Sequence, residues 1–261
     1  MKINRIYATV LRYFYYFKHS LDRMSDVFYW PVVDLVLFGL TSLSFKYYNP
    51  QAGSIVSVVA SGILFWIIVW RGQYEITVNL LEELWSRNLI NMFVTPLTFS
   101  EWTISVMIIG LIKALIGFAF ASLVAFFLYQ IKIFMFGFYL IPFIGLLILT
   151  GWWVGFLIAG LILRYGTTIQ TFAWSAIMII SPFSAVYYPL AILPGWARAI
   201  ASVIPTSYMF EGIRQVIYEG KIDSSKFLMS LGLNIIYLVG SMIFLKKSFN
   251  KALERGLIKV Y

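Results

Sequence analysis

TISVMIIGLIKALIGFAFASLVAFFLY, residues Thr103 to Tyr129, decides the fold class, and its one charge is Lys113. The hydrocarbon core of a bilayer is about 30 Å thick and takes about 20 mostly apolar residues per helical crossing. This run meets that length, so it reads as a membrane span. The rest of the chain has the same character. Of 261 residues, 61% are hydrophobic, 19% aromatic and 12% charged. A soluble domain carries about 25% charge, so too little polar surface remains to cover a water-facing sphere. The lack of cysteine excludes a disulfide scaffold. The apolar content excludes disorder.

Working outward, five further spans follow from the same length rule. They run near Val27 to Phe45, Ser54 to Trp70, Phe134 to Leu163, Thr168 to Tyr188 and Phe227 to Leu245. The fourth span in chain order, Phe134 to Leu163, is long enough to tilt or to kink at Pro142. Before the first span, Ile3, Ile6, Val10, Phe14, Phe17 and Leu21 recur at helical steps. A basic and polar stripe, Lys2, Arg5, Thr9, Arg12, Tyr16, His19 and Arg23, is offset by one residue. This predicts an amphipathic helix over residues 1–26, lying in the headgroup plane. The formal charge is +9. In a membrane chain such a surplus marks sidedness rather than nucleic acid. Placing both termini in the cytoplasm puts thirteen basic residues inside, among them Arg71, Arg87, Arg164, Arg255 and Lys259, against six outside.

Two segments are neither spans nor simple loops. Residues 73–96 contain a short amphipathic stretch, Leu81 to Asn88, ended by Thr95-Pro96. Leu81, Leu84, Trp85 and Asn88 fall on one face, and Glu82 and Glu83 on another. Two adjacent acids suit a protein partner better than an anionic lipid surface. The second segment lies before the last span. Pro182, Pro189, Pro194 and Pro205 break it into apolar pieces too short to cross. A re-entrant hairpin over residues 189–218 fits, with Pro182, Tyr187, Tyr188, Pro189, Pro194 and Pro205 as external gate candidates.

Ionisable groups inside spans are costly and therefore functional candidates. Asp34 and Lys113 qualify, and the two could pair. Trp152 and Trp153 lie deeper than the interfacial aromatics and are candidates for the lining of a path. Gly151-x-x-x-Gly155 allows close helix approach. No metal spacing and no serine-histidine-acid constellation is present. An ion-driven transporter should show inverted repeats and more intramembrane charge. An intramembrane lipid-modifying enzyme should show a cluster of acids, His or Cys. Neither pattern is visible.

The arrangement resembles the membrane subunit of ATP-binding-cassette exporters of the type-2 permease family. The likeness rests on the N-terminal helix, the six spans and Leu81-Glu-Glu-Leu-Trp-Ser-Arg…Val94-Thr-Pro-Leu-Thr. It rests also on Ser181-Pro-Phe-Ser…Tyr188-Pro-Leu-Ala-Ile-Leu-Pro-Gly-Trp…Ile204-Pro-Thr-Ser-Tyr…Glu211-Gly-Ile-Arg. The resemblance implies an all-α membrane protein of one domain, residues 1–261. It implies that Leu81, Glu82, Glu83, Leu84, Trp85, Arg87 and Asn88 form a coupling helix seated on a cytoplasmic ATPase. It also implies a second permease copy, a lipid-embedded path and an amphipathic cargo such as a lipid-linked glycan, a lipid or a hydrophobic drug. No Gly-x-x-x-x-Gly-Lys-Ser/Thr stretch occurs, so ATP and magnesium belong to the partner.

Overall fold

The computed structural model describes residues 1–49 and 54–254, and these contain helices and no strand. Arg255 and Lys259, counted above for sidedness, lie outside the described residues. The first helix, α1 (Ile3–His19), buries Ile6, Thr9, Tyr13 and Phe17, a stripe at three- and four-residue steps. Ser20 then separates it from α2 (Leu21–Tyr48) and caps that helix, accepting from the Arg23 amide at 3.4 Å. Ile55–Trp85 forms α3, and a short α4 (Leu89–Val94) leads to α5 (Phe99–Tyr129). Thr98 and Glu101 close a capping box at the start of α5, satisfying otherwise orphaned amides. A 3-10 stretch over Ile133–Tyr139 precedes α6 (Leu140–Tyr165). Then come α7 (Phe172–Ile180), α8 (Gly195–Ala201), α9 (Pro205–Glu219) and α10 (Ser224–Glu254).

Among the described residues five segments are long and apolar enough to cross a membrane: Leu21–Tyr48, Ile55–Trp85, Phe99–Tyr129, Ile133–Ile169 and Ser224–Glu254. The span expected over Thr168 to Tyr188 is not one helix. A 3-10 turn at Gly166–Ile169, the 9-residue α7 and a second 3-10 turn at Ser181–Phe183 replace it. Pro182 cannot donate to a continuing helix, which accounts for the stop. Pro142 does not kink the fourth span, because it sits in the first turn of α6, where its missing amide costs nothing. The break falls instead at Gly137, whose φ of 50° favours a residue without a side chain.

The contacts fix the directions. Glu75 meets Lys113 and Phe65 meets Phe118, so α3 and α5 are antiparallel. Gly151 packs on Val69 and Gly72, and Gly155 on Ile76, so α3 and α6 run parallel. Thr150 bonds Asn234 and Arg164 bonds Ser248, so α6 and α10 also run parallel. One end of the bundle, termed basal, therefore gathers α1, α4 and the C-terminal ends of α3, α6 and α10. The opposite end is termed distal. α3 is the axis, with its residues from Ala60 to Val69 buried throughout. Lipid offers no hydrophobic force between helices, so close backbone approach must supply the packing. A Cβ on Gly151 would stand 2.5 Å from the Val69 carbonyl and 2.9 Å from the Gly72 Cα, which explains the glycine there.

Candidate functional site

The basal end is held by ion pairs from α1 and α2. Arg12 Nη2 donates to the Glu83 carboxylate at 2.7 and 3.0 Å. The Tyr13 hydroxyl at 3.1 Å and the Asn88 amide at 2.6 Å donate to the same group. Arg5 pairs with Glu101 at 3.5 Å, and the Lys2 amide donates to that carboxylate at 2.7 Å. Arg23 pairs with Glu82 and lies over the Tyr16 ring at 4.0 Å. Burial, then the neighbouring Glu83 carboxylate, raises the Tyr13 phenol above its ordinary value. These bonds leave an open cleft of about 1180 Å³ between α1 and the chain joining α3 to α5. Glu83, Asn91, Thr95 and Pro96 are among its lining.

A second cavity, about 270 Å³, lies farther along the bundle between α2, α3, α5 and α7. Its floor is ionic. Lys113 Nζ stands 2.6 Å from Glu75 Oε2, Arg71 3.8 Å from Glu75 Oε1, and all three side chains are at least 96% buried. Arg71 also donates to the Asp26 carbonyl, and the Tyr74 hydroxyl to the Asp26 carboxylate at 2.5 Å. Charges at this depth persist only when paired and hydrogen-bonded. Trp85 and Trp174 stand at the rim with ring centroids 6.3 Å apart and planes 13° apart. The Trp85 indole donates to Gln170 at 3.0 Å, which sets its orientation.

At the distal end one buried cation organises the proline-rich segment. Arg214 on α9 donates to the carbonyls of Ala185 and Tyr188 and pairs with Glu211 at 2.9 Å. Glu211 in turn accepts from the Leu190 amide at 2.7 Å. Tyr187 stacks on Phe38 of α2 with centroids 4.8 Å apart. The Tyr188 hydroxyl donates to the Pro182 carbonyl at 2.6 Å. Pro189 and Pro194 precede short helical turns, and Pro205 opens α9, where φ is already suited to it.

A family model described as ABC-2 family transporter protein matches residues 33–245, most of the chain. The chain belongs to the ABC-2 transporter family. A comparison with curated proteins finds no match. As an ABC-2 permease the chain is a multi-pass membrane component of an ABC transporter, and the family implies a partner ATPase subunit.

In this ABC-2 chain Leu81 to Asn88 do not form a separate helix presenting one face. α3 runs unbroken to Trp85 and ends where Arg87 takes a left-handed φ of 53°. Leu81, Glu83 and Leu84 are buried because the apolar side of the stretch packs inside the chain and Glu83 anchors α1. Glu82 and Asn88 are half-buried, and Trp85 and Arg87 are exposed. Lys113 does not pair with Asp34, because Glu75 on the antiparallel α3 is within reach of its ammonium. Asp34 is half-buried on α2, without an ion pair or hydrogen bond among the described residues. Trp152 and Trp153 are half-buried on α6 and line neither of the two cavities described. Trp153 packs on Tyr237 at 4.9 Å. The basic stripe of α1 reaches carboxylates of its own chain through Arg5 and Arg12, while Ile3 and Tyr7 face outward.

Sequence reading missed Glu75, Arg71 and Arg214 as structural centres. A signal existed for the first two. Arg71, Glu75 and Asn79 recur at four-residue steps, the spacing of a continuing helix with one polar face. For Arg214 the signal was Glu211 three residues before it, a spacing that brings the two onto one face of a helix.

Proposed function

We propose that this chain is the permease subunit of an ATP-driven exporter that moves an amphipathic or lipid-like substrate out across the cytoplasmic membrane. The cargo class comprises a lipid-linked glycan, a lipid or a hydrophobic drug. The basal end faces the cytoplasm with both termini, in keeping with Lys2, Arg5, Arg12, Arg87, Arg164 and Lys251 at that end. The chain forms one permease domain, residues 1–261. It crosses six times, the fifth passage being made by α7 and the turns beside it. α1 rests at the interface, and residues 189–218 form the external re-entrant hairpin. Two permease copies enclose the path. ATP and magnesium bind the partner ATPase.

The observation that carries this reading is the basal junction. There α1, α3 and α5 are tied together by Arg12, Glu83, Arg5 and Glu101, so a push on the α3 to α5 connection moves all three helices. Burial of Leu81, Glu83 and Leu84 moves the docking surface to what stays exposed: Arg87, Asn91, Val94 and Thr95, with Trp85 at its edge. Motion of the ATPases enters here and is passed along α3 toward the distal gate, where the carbonyl of Val186 lies against Gly62 of α3. Asp34 is a path candidate, since a carboxylate without a cation partner at that depth needs water or cargo beside it.

The test is ATPase activity in nanodiscs with the partner subunit present, across a panel of lipids, glycolipids and drugs. The combined change Arg87→Glu, Asn91→Ala and Val94→Asp is expected to abolish cargo stimulation and co-purification of the ATPase. Unchanged stimulation and unchanged co-purification would overturn the placement of the docking surface.

A further inference from the structure

The 270 Å³ cavity carries more carboxylate than its own cations neutralise. Arg23 pairs with Glu82, and Arg71 and Lys113 converge on Glu75. Two acids of the lining remain. Among the described residues the Asp26 carboxylate is bonded by the Tyr74 hydroxyl, and Asp22 makes neither an ion pair nor a hydrogen bond. Both acids share that lining with the parallel Trp85 and Trp174 rings. A carboxylate beside indole faces is the chemistry that receives an organic ammonium. The ring quadrupole attracts a cation that has no hydrogen-bond donor, and the acid neutralises it.

A bare metal ion is the poorer occupant. It needs several hard ligands converging on one point. No group of three or more His, Cys, Asp or Glu could hold an ion among the described residues. The volume is also too small for a peptide or an extended glycan, since pockets for drug-sized molecules begin at about 300 Å³.

Beyond the lining, which on α2 ends at Asp26, a row of residues continues along the helix. From Asp22 and Asp26, steps of four residues reach Trp30, Asp34 and Phe38. Such a row winds about 40° around the helix per step. Its lower members share a cavity with Trp174 of α7, and its upper member stacks on Tyr187, so the row follows the chain from α7 to the distal end. Along it the two acids Asp22 and Asp26 are followed by Trp30, Asp34 and Phe38, and no described cation forms an ion pair with the side chain of Asp22, Asp26 or Asp34.

We propose that this cavity receives the organic ammonium head of an amphiphile and that the α2 row guides it toward the distal gate. This deepens the permease reading above and rests on it.

The complex with its ATPase, in nanodiscs, is titrated with a dansyl-labelled alkyl trimethylammonium. The comparison is the neutral analogue whose head is tert-butyl, the same shape with carbon in place of nitrogen. Partitioning into protein-free discs is subtracted. The ammonium is expected to bind roughly tenfold tighter than its isostere, the scale of a carboxylate and ring contact. The double change Asp22→Asn and Asp26→Asn should erase that preference, whereas Asp22→Glu with Asp26→Glu should keep it. Equal binding of the two probes to the unmodified complex overturns the proposal, whatever the variants do. A preference that survives in the Asn pair overturns the location. Co-purification of the ATPase separates the two levels. If the ATPase is retained and the probes bind alike, the ammonium site fails and the permease reading stands. If no ATPase is retained, the permease reading itself fails.

Discussion

Replacing Glu75 with Leu perturbs the buried charge cluster at its shared centre. Glu75 faces Lys113 at 2.6 Å and Arg71 at 3.8 Å, and its Oε2 also accepts from Asn79 at 3.3 Å. Breaking a buried pair costs about 3–5 kcal/mol, because the survivor stays buried without compensation. Glu75→Leu strands two cations at once, so its cost sits near the top of that range, about 5 kcal/mol. Lys113→Met leaves Glu75 with Arg71 and Asn79, and Arg71 still holds the Asp26 carbonyl. Its cost falls near the bottom, about 3 kcal/mol. In the double variant neither Lys113 nor Glu75 is left unmatched, and only Arg71 loses a partner. The double cost is therefore below the sum of the singles by about 2 kcal/mol. Unfolding in mixed micelles by titration with SDS measures all three. The nine Trp residues supply the fluorescence signal. Where Glu75→Leu gives no folded protein, Glu75→Gln takes its place with the same ranking. A Lys113→Met cost equal to that of the Glu75 variant, or strict additivity, refutes the view that Glu75 serves both cations.

Two further outcomes follow from the packing. Gly151→Leu should cost about 3 kcal/mol in the same titration, since its side chain meets the Val69 carbonyl and Gly72 Cα. Gly145→Leu, where nothing lies within 4 Å, should cost little. Tyr13 gives a pH dependence outside the spans. Burial and then Glu83 raise its phenol in the folded state. Its stabilising contribution is therefore complete below the ordinary value of about 10 and is lost as the unfolded chain ionises above it. The unfolding midpoint should fall from about pH 10 upward, and Tyr13→Phe should flatten that fall.

Much of the helical plan was legible in the sequence. Thr103 to Tyr129 lies wholly inside α5, and the three- and four-residue steps from Ile3 through Ile6, Val10 and Phe14 to Phe17 mark α1, although the side that packs inward is Ile6, Thr9, Tyr13 and Phe17. The second span was read too short for a physical reason. Arg71, Glu75 and Glu82 make the stretch after Trp70 look like a solvated loop with its own small helix. Glu82 is paired by Arg23 of α2 and Glu75 by Lys113 of α5, partners far away in sequence, and Arg71 pairs with Glu75 one turn on, so α3 continues through them. The stretch expected as the fifth span, Thr168 to Tyr188, is not one continuous helix. Its composition is mostly apolar, but the 3-10 turn at Gly166–Ile169 overlaps its start and Pro182 stops α7, and hydropathy does not register backbone conformation. The stretch Leu81 to Asn88 reads in the sequence as an exposed amphipathic element, whereas Leu81, Glu83 and Leu84 are buried. Periodicity groups residues onto faces without saying which face the rest of the protein covers.

The length of α3 has a mechanical corollary. Its 31 residues form one rod without an internal proline. Such a rod is about 46 Å long, so pivoting it by about 5° about one tip sweeps the other through about 4 Å. Stiffness of this kind needs no chain of side-chain rearrangements: whatever leans on the Trp85 tip is felt at once beneath Val186 and Phe210, as a tiller moves a rudder.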